Sequence, residues 1–385
     1  MNREPVQRVL HIAPTPFFAD RGCHLRIRGL VKALDARGLA NRVCTYALGR
    51  DVPEVDTVRG FPIPGYRKTS AGPSPFKIVA DFFLLLTAVR QIRAFRPDVL
   101  HCHLHEGVLV GWLAKYFALR PGLTLGFDVQ GGLVSELKSY GHLKGGLLRR
   151  AVRWLEAFTI ARADVYFCSS QASVDLFKAE YGVEPARLRL VPDGTDVALP
   201  DTPPPPAPRP VALYTGGLAE SKGLGLLHAA MLEASRRELA VDFLIVGYPT
   251  DATERFVAEH ALGNCTLAGR VPFEELGRYL QRATVCLEPK SGATSEASGK
   301  LLNYMAAALP VVCFDTPNSR AMLGDAGYFA APDTAAAFVD QLEAALADPE
   351  QAAARGRAAG ALAAERYSWA ASAATIAATY GDPAT

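Results

Sequence analysis

Residues 285–315 read VCLEPKSGATSEASGKLLNYMAAALPVVCFD. Val285–Glu288 is a short apolar run, and a polar, glycine-containing loop follows it. Ser298-Gly299-Lys300 opens a helix that carries Leu301, Leu302, Met305 and Ala306 on its apolar face, and Pro310–Phe314 is a second buried strand. Strand, loop, helix and strand in this order form one unit of a parallel α/β sheet. Such a loop presents unpaired backbone N–H groups at a helix N-terminus, where the macrodipole favours an anion. Lys300 adds positive charge at that mouth, so a phosphate-bearing ligand is the expected occupant, with Ser298 and Gly299 beside it. A P-loop does not fit, because it needs four residues between its first glycine and Gly-Lys, then Ser or Thr. Here six residues separate Gly292 from Gly299, and Leu301 follows the lysine. The plainer alternative is a surface loop capped by Ser298 with a solvated Lys300.

The same alternation runs outward from this stretch. In the first half, Val9–Pro14, Arg42–Ala47, Val99–His103, Thr124–Val129, Val165–Ser169 and Leu188–Val191 read as strands. Between them, Leu25–Arg37, Phe76–Phe95, Gly107–Phe117, Leu147–Ala161 and Gln171–Glu180 read as helices. Near-continuous apolar strands alternating with helices imply a parallel sheet covered on both faces. Leu199–Pro210, LPDTPPPPAPRP, has seven prolines in twelve residues, which can neither pair in a sheet nor continue a helix. It is a semi-rigid spacer between domains. Val211–Thr215, Val241–Val246, Cys265–Ala268, Val285–Glu288 and Pro310–Phe314 restart the alternation, with helices near 222–236, 252–261, 273–281, 299–308 and 334–347.

Bulk properties exclude several classes. The 385 residues suggest two or three domains, and net charge is +2 with both signs interspersed, so nucleic acid is not an expected partner. Seven cysteines are scattered without a CxxC pair and read as buried free thiols in a reducing compartment. Met1–Arg8 is polar and leads into a strand, so no signal peptide is expected. The longest apolar segment, Phe76–Val89, is interrupted by Lys77 and Asp81 and is shorter than the ~20 residues a membrane span needs. It reads as a buried amphipathic helix.

A second candidate phosphate loop is Tyr214-Thr215-Gly216-Gly217-Leu218, followed by Glu220-Ser221-Lys222-Gly223. Its paired glycines let backbone approach a ligand closely, and Lys222 adds its charge at the start of the next helix. Both loops follow strands of one domain and should open on one edge of its sheet. His101, His103 and His105 alternate along a strand end and share one face in that reading. Three imidazoles on one face are a metal-ligand set, although polar lining of an acceptor cleft is preferred, and no metal is assigned. Lys144, Arg149, Arg150 and Arg153 form a basic stretch, either a solvated helix face or a contact for anionic lipid.

The order of these features resembles retaining glycosyltransferase family 4. The matching pieces are Arg96–His103 (RPDVLHCH), Val191–Asp196 (VPDGTD), Gly216–Gly223, Phe243–Gly247, Gly269–Val271, Leu301–Val312 and Tyr367–Trp369. The resemblance implies the GT-B fold, α/β, with two Rossmann-like doubly wound parallel-sheet domains facing a central cleft. Residues 1–198 would bind the acceptor, with a C-terminal helix at about 367–385 packing back on them. Residues 199–210 would be the linker, and 211–366 the nucleotide-sugar domain. It implies sugar transfer from a nucleoside-diphosphate sugar, such as a UDP-sugar, to an acceptor hydroxyl of a glycan, lipid-linked or small molecule. Retention, no metal and no further cofactor are expected, as are a place in polysaccharide biosynthesis and a cytoplasmic location, either free or at the inner face of the membrane.

The resemblance also assigns residues. Lys222 holds the donor diphosphate, and backbone near Arg270 and Val271 contacts the base. The family's arginine corresponds to Gly217, and Lys300 could supply that charge. Its two glutamates correspond to Ser295 and Asn303. Glu296, next to Ser295, could take the first role beside the donor sugar, and Asn303 could hydrogen-bond ribose through its carbonyl oxygen. In Asp128-Val129-Gln130-Gly131-Gly132, with Glu136 beyond, Gln130 stands where the family often has a histidine facing the donor sugar. Gln130 can hydrogen-bond a hydroxyl but cannot act as a base. In PTPFFADRGCH, Gly22 would approach the donor phosphates, with Arg21 or His24 reaching the cleft. The alternatives are a degenerate relative that binds nucleotide or glycan without transfer, and a sugar-nucleotide epimerase of the same architecture.

Overall fold

The computed structural model describes residues 7–19, 21–69, 74–134, 146–202, 204–205, 207–291 and 298–381. They form two compact units, the first running to Gly194 and resuming at Trp369, the second running from Thr195 to Ser368.

The first unit holds a sheet of seven strands among the described residues: β1 (Arg8–Ala13), β2 (Ala40–Thr45), β3 (Thr57–Arg59), β4 (Val99–His103), β5 (Thr124–Val129), β6 (Val165–Cys168) and β7 (Leu188–Leu190). All pair in parallel, in the order β3-β2-β1-β4-β5-β6-β7. Val9, Leu10 and Ile12 of β1 are fully buried, as are Leu100 and Cys102 of β4, because helices cover both faces. Register sets His11 of β1 opposite His101 of β4. The strand order reverses between β1 and β4, and such a switch point opens a crevice beyond the strand C-terminal ends.

The helix Trp369–Gly381 packs on the helix Gly22–Asp35 in this unit. Gly29 and Gly194 make room for the Trp369 indole, since a Cβ at either would lie 2.2 Å and 2.6 Å from its ring. Ser372 Oγ donates to the Pro192 carbonyl at 2.7 Å. The helix Phe76–Phe95 departs from the sequence expectation. Ala80, Leu84, Ala88 and Ile92 are buried, as an amphipathic helix requires, yet Ile78, Val79, Phe82 and Leu86 form an exposed apolar stripe.

The second unit holds β8 (Val211–Thr215), β9 (Asp242–Val246), β10 (Cys265–Gly269), β11 (Val285–Glu288), β12 (Val311–Phe314) and β13 (Tyr328–Ala330). The sheet is parallel, in the order β10-β9-β8-β11-β12-β13. Its switch point lies between β8 and β11. The stretch expected as one helix at 273–281 is a 3-10 turn, Phe273–Glu275, followed by a short helix, Leu276–Leu280. Residues just after Thr195 pack within this unit: Gln281 donates its amide to the Pro200 carbonyl, and Gly277 admits the Ala198 carbonyl where any side chain would collide.

Candidate functional site

The two phosphate-loop candidates meet at the switch point of the second sheet. The loop after β8 turns at Gly216, whose φ of +123° suits glycine. Gly216 N–H donates to Val246 O, and Leu218 N–H to Tyr248 O, which ties this loop to the one after β9. Gly247 N–H donates to Gly269 O, bringing in the turn after β10. The 3-10 turn Glu220–Lys222 ends at Gly223, φ +86°, where a Cβ would lie 2.4 Å from the Pro289 carbonyl. The corner beside half-buried Lys222 therefore sits on the peptide that leaves β11. A Cβ at Gly216 would lie 3.8 Å from Lys300 Cδ, so the Lys300 stem borders the Gly216–Gly217 turn.

Lys300 is not the bare cation expected at the mouth. Its Nζ is 3.1 Å from Glu288 Oε1 at the end of β11, 3.4 Å from Tyr214 Oη, and 4.5 Å above the Tyr214 ring. Burial works against the Lys300 charge, but the Glu288 carboxylate and Tyr214 outweigh it, and the ammonium pKa is raised. Glu288 also accepts from Ser298 Oγ at 2.7 Å and from Lys290 N–H. Ser298 N-caps the helix Gly299–Ala306, accepting from Leu301 N–H, so its hydroxyl serves both cap and carboxylate. Gly299 is exposed at the first turn, where N–H groups lack intrahelical acceptors. An ammonium has three donors, so Lys300 can keep Glu288 and still reach an anion. Tyr214 and Glu288 were not singled out from sequence, because an apolar run ending in Glu reads as a strand reaching solvent.

Asn303 also differs from expectation. It is buried on the helix Gly299–Ala306, and its Oδ1 accepts from Thr195 Oγ1 at 2.7 Å. The carbonyl oxygen expected to bind ribose is thus engaged within the unit. Arg270 is exposed, its guanidinium 5.0 Å from the Tyr248 ring centroid, and half-buried Val271 packs on the core. Gly217 is exposed, and a Cβ there would meet nothing within 4 Å. Glu136, Lys144, Ser295 and Glu296 lie outside the described residues.

In the first unit, Gly22 is exposed at the start of its helix with open space around it. His24 is fully buried and reaches no cleft: its Nε2 is 2.6 Å from Thr15 Oγ1, and its Nδ1 accepts from Ala19 N–H, pinning the loop after β1. Gln130 donates its amide to Asp128 Oδ2 at 2.8 Å. Asp128 is fully buried and also accepts from Arg26 Nε and Nη2 and from His103 Nδ1. Burial opposes its charge, yet Arg26 and His103 hold it well below the usual carboxylate range. Arg26 continues to Val191 O and Asp193 Oδ1. Sequence reading missed this hub. Its signal is an arginine on the buried face of an amphipathic helix, which demands a buried acid.

The histidines correct the expectation of cleft lining. His101 and His103 do share a face of β4, but both are fully buried. His105 leaves that face: Leu104, at φ +61°, turns the chain into the helix Leu104–Phe117, and His105 Nε2 lies 3.5 Å from Glu156 Oε1. Arg149, Arg150 and Arg153 are exposed on the helix Gly146–Ile160 beside exposed Trp154 and Leu155. Among the described residues, no helix is long and apolar enough to cross a membrane.

Comparison with known proteins agrees with this architecture. A family described as glycosyl transferase 4-like domain matches residues 21–194, and one described as glycosyl transferases group 1 matches residues 209–348. A D-inositol 3-phosphate glycosyltransferase of Segniliparus rotundus is 26% identical, over 96% of this chain and 87% of that relative. Among solved structures, sucrose-phosphate synthase of Thermosynechococcus elongatus superposes with TM-score 0.78 at 21% identity, covering 97% and 98% of the two chains. An Anabaena protein, HepE, solved with UDP and glucose, gives 0.73 at 15% identity, covering 97% and 99%. The chain belongs to the glycosyl transferases of group 1, with the GT-B fold, and transfers a sugar from a nucleotide-sugar donor.

Proposed function

We propose that this chain moves the sugar to an acceptor hydroxyl with retention of anomeric configuration, the departing diphosphate being stabilised by lysines rather than by a metal. The observation that carries the reading is the meeting of Lys300, Gly216–Gly217 and the Lys222–Gly223 corner at the switch point of the second sheet. Preorganised cations and helix N–H groups aimed at developing charge are the electrostatic form of catalysis. Lys222 and Lys300 take that role. Gly217, Ser298 and Gly299 offer backbone to the phosphates, Gly216 supplies the turn that lets them approach, and backbone at Arg270 and Val271 takes the base. UDP is the first nucleotide to try, since HepE was solved with it. Gln130, held by Asp128, faces the donor sugar in this reading. With its carbonyl on Thr195, Asn303 serves through the helix it anchors. The acceptor is a glycan, a lipid-linked or a small molecule. The relative named for D-inositol 3-phosphate makes inositol phosphate the first small acceptor to test. Exposed Ile78, Val79, Phe82 and Trp154, with Arg149 and Arg150, support a peripheral membrane contact for a lipid-bearing acceptor.

Purified protein is incubated with UDP-, GDP- and ADP-sugars and these acceptors. Nucleotide release is measured, and product anomers are read by NMR. One donor should release nucleotide with acceptor-dependent turnover and a retained anomer. An inverted product rejects the mechanism. Nucleotide binding without release across the panel supports the second reading, a binding protein, which the glycine at position 217 motivates.

A further inference from the structure

We propose that His11, His101 and His103 hold a divalent transition metal, Zn2+ by ligand chemistry, inside the first unit. One ring nitrogen of each lies within 4.8 Å of the other two, and all three side chains are fully buried. Their ring centroids are 5.0, 5.3 and 5.0 Å apart. With metal–nitrogen bonds of about 2.0–2.1 Å, imidazoles around a tetrahedral centre have centroids about 5.2 Å apart.

The hydrogen bonds fix which nitrogens face inward. Asn41 Nδ2 donates to Asp35 Oδ1 and Leu39 O, so its Oδ1, 3.1 Å from His11 Nε2, must accept. His11 therefore carries its proton on Nε2 and a lone pair on Nδ1. The Asp128 carboxylate, 2.8 Å from His103 Nδ1, can only accept, so neutral His103 has its lone pair on Nε2. With both rings neutral, these two lone pairs face each other at 3.1 Å. His101 places Nδ1 2.7 Å from the Tyr380 hydroxyl, while its buried Nε2 has no hydrogen-bond partner among the described residues. Three inward nitrogens thus ask for one cation. Each outer nitrogen already has a partner able to accept from a metal-bound histidine: an amide oxygen, a carboxylate and a hydroxyl. Full burial disfavours a charge on His11, as a ligand requires. Neutral imidazoles suit Zn2+, and three of them leave a fourth position. The metal would clamp β1 to β4 and, through Tyr380, the helix Trp369–Gly381.

The test uses the full chain, stripped with EDTA and titrated with Co2+ alone, then Zn2+. One equivalent of Co2+ should give the visible bands of a four-coordinate centre, Zn2+ should displace it, and the thermal midpoint should rise. X-ray absorption of the Zn2+ form should show imidazole nitrogens at about 2.0–2.1 Å. Tyr380→Phe, which keeps the ring, should weaken Zn2+ binding about 10-fold. His101→Phe should abolish it, and His228→Ala and His260→Ala should leave it intact. Three results overturn the site: no bound equivalent, binding that survives His101→Phe or vanishes with His260→Ala, or nitrogen NMR shifts showing His103 as an imidazolium with and without Zn2+. If His101→Phe does not fold, absorption on the unaltered protein decides, and a shell lacking three imidazoles rejects the site.

Discussion

Lys300 sits between two acids of different origin, one in the protein and one in the proposed donor. Glu288 is almost fully buried, and removing its cation leaves a charge addressed, among the described residues, by the Ser298 hydroxyl and the Lys290 N–H. Breaking a buried pair from one side costs several kcal/mol. Lys300→Met should therefore lower stability by about 3 kcal/mol and turnover by about 100-fold. Pairing it with Glu288→Gln removes the orphaned charge, so chemical denaturation should recover while kcat stays low. If kcat recovers as well, Lys300 is a structural partner of Glu288 and not a catalytic cation. Gly217 offers the opposite test. By the resemblance it takes the place of an arginine, and a side chain there starts in open space. Gly217→Arg should raise kcat/KM for the donor by about 10-fold, in line with one added cation at the leaving group. An unchanged or lower value would show that the site is not short of positive charge.

At the scale of elements, one helix carries two glycines with opposite demands. In Gly22–Asp35, Gly22 opens onto free space, whereas Gly29 is pressed against the Trp369 indole. Gly29→Val should cost about 2–3 kcal/mol by overpacking, and hydrogen exchange across residues 369–381 should quicken. Gly22→Ala should change stability by less than about 0.5 kcal/mol. Equal effects would mean that the Trp369 contact does not hold the last helix. The same elements show what the sequence could and could not reveal. β4 and β5 were legible residue for residue, because strands buried on both faces are continuous apolar runs. β3 and β13 were not: each is a three-residue edge strand fixed by its neighbour rather than by its own pattern. The helix Pro317–Leu323 was missed because its start rests on a reciprocal cap between Thr316 and Ser319, a short polar signal. His105 was misplaced because alternation was extended past Leu104, where the backbone turns over. The glycine and lysine loops of the second unit were legible from spacing. Their acid, Glu288, and the hub that Arg26 makes with Asp128 were not, since a polar residue inside a buried run reads alike whether it meets solvent or a partner.

At the scale of the molecule, pH acts through groups of opposite sign. Burial pushes the Asp81 carboxyl, on the helix Phe76–Phe95, up to about 6 from 3.8. Tyr46 Oη, 2.5 Å away, and Lys77 act against the rise, and Glu106 adds to it. Between those two values the folded chain holds more protons than the unfolded one, so this group's contribution to stability falls as pH rises. Above about pH 6 the full cost is present, on the order of 1–3 kcal/mol. Burial lowers the pKa of His11, His101 and His105, and that loss runs the other way, appearing as pH falls below 6.5. The Asp81 effect is therefore read as a difference between chains, in which the histidines cancel. Asp81→Asn keeps an oxygen for the Tyr46 hydroxyl and loses the charge. It should be more stable than the unaltered chain at pH 8, by 1–3 kcal/mol on the same order, with the gap closing by pH 4. Denaturant melts of both chains at pH 4, 5, 6, 7 and 8 measure this, and a gap that is flat or widens toward pH 4 would show that Asp81 is ionised at no cost in the folded unit.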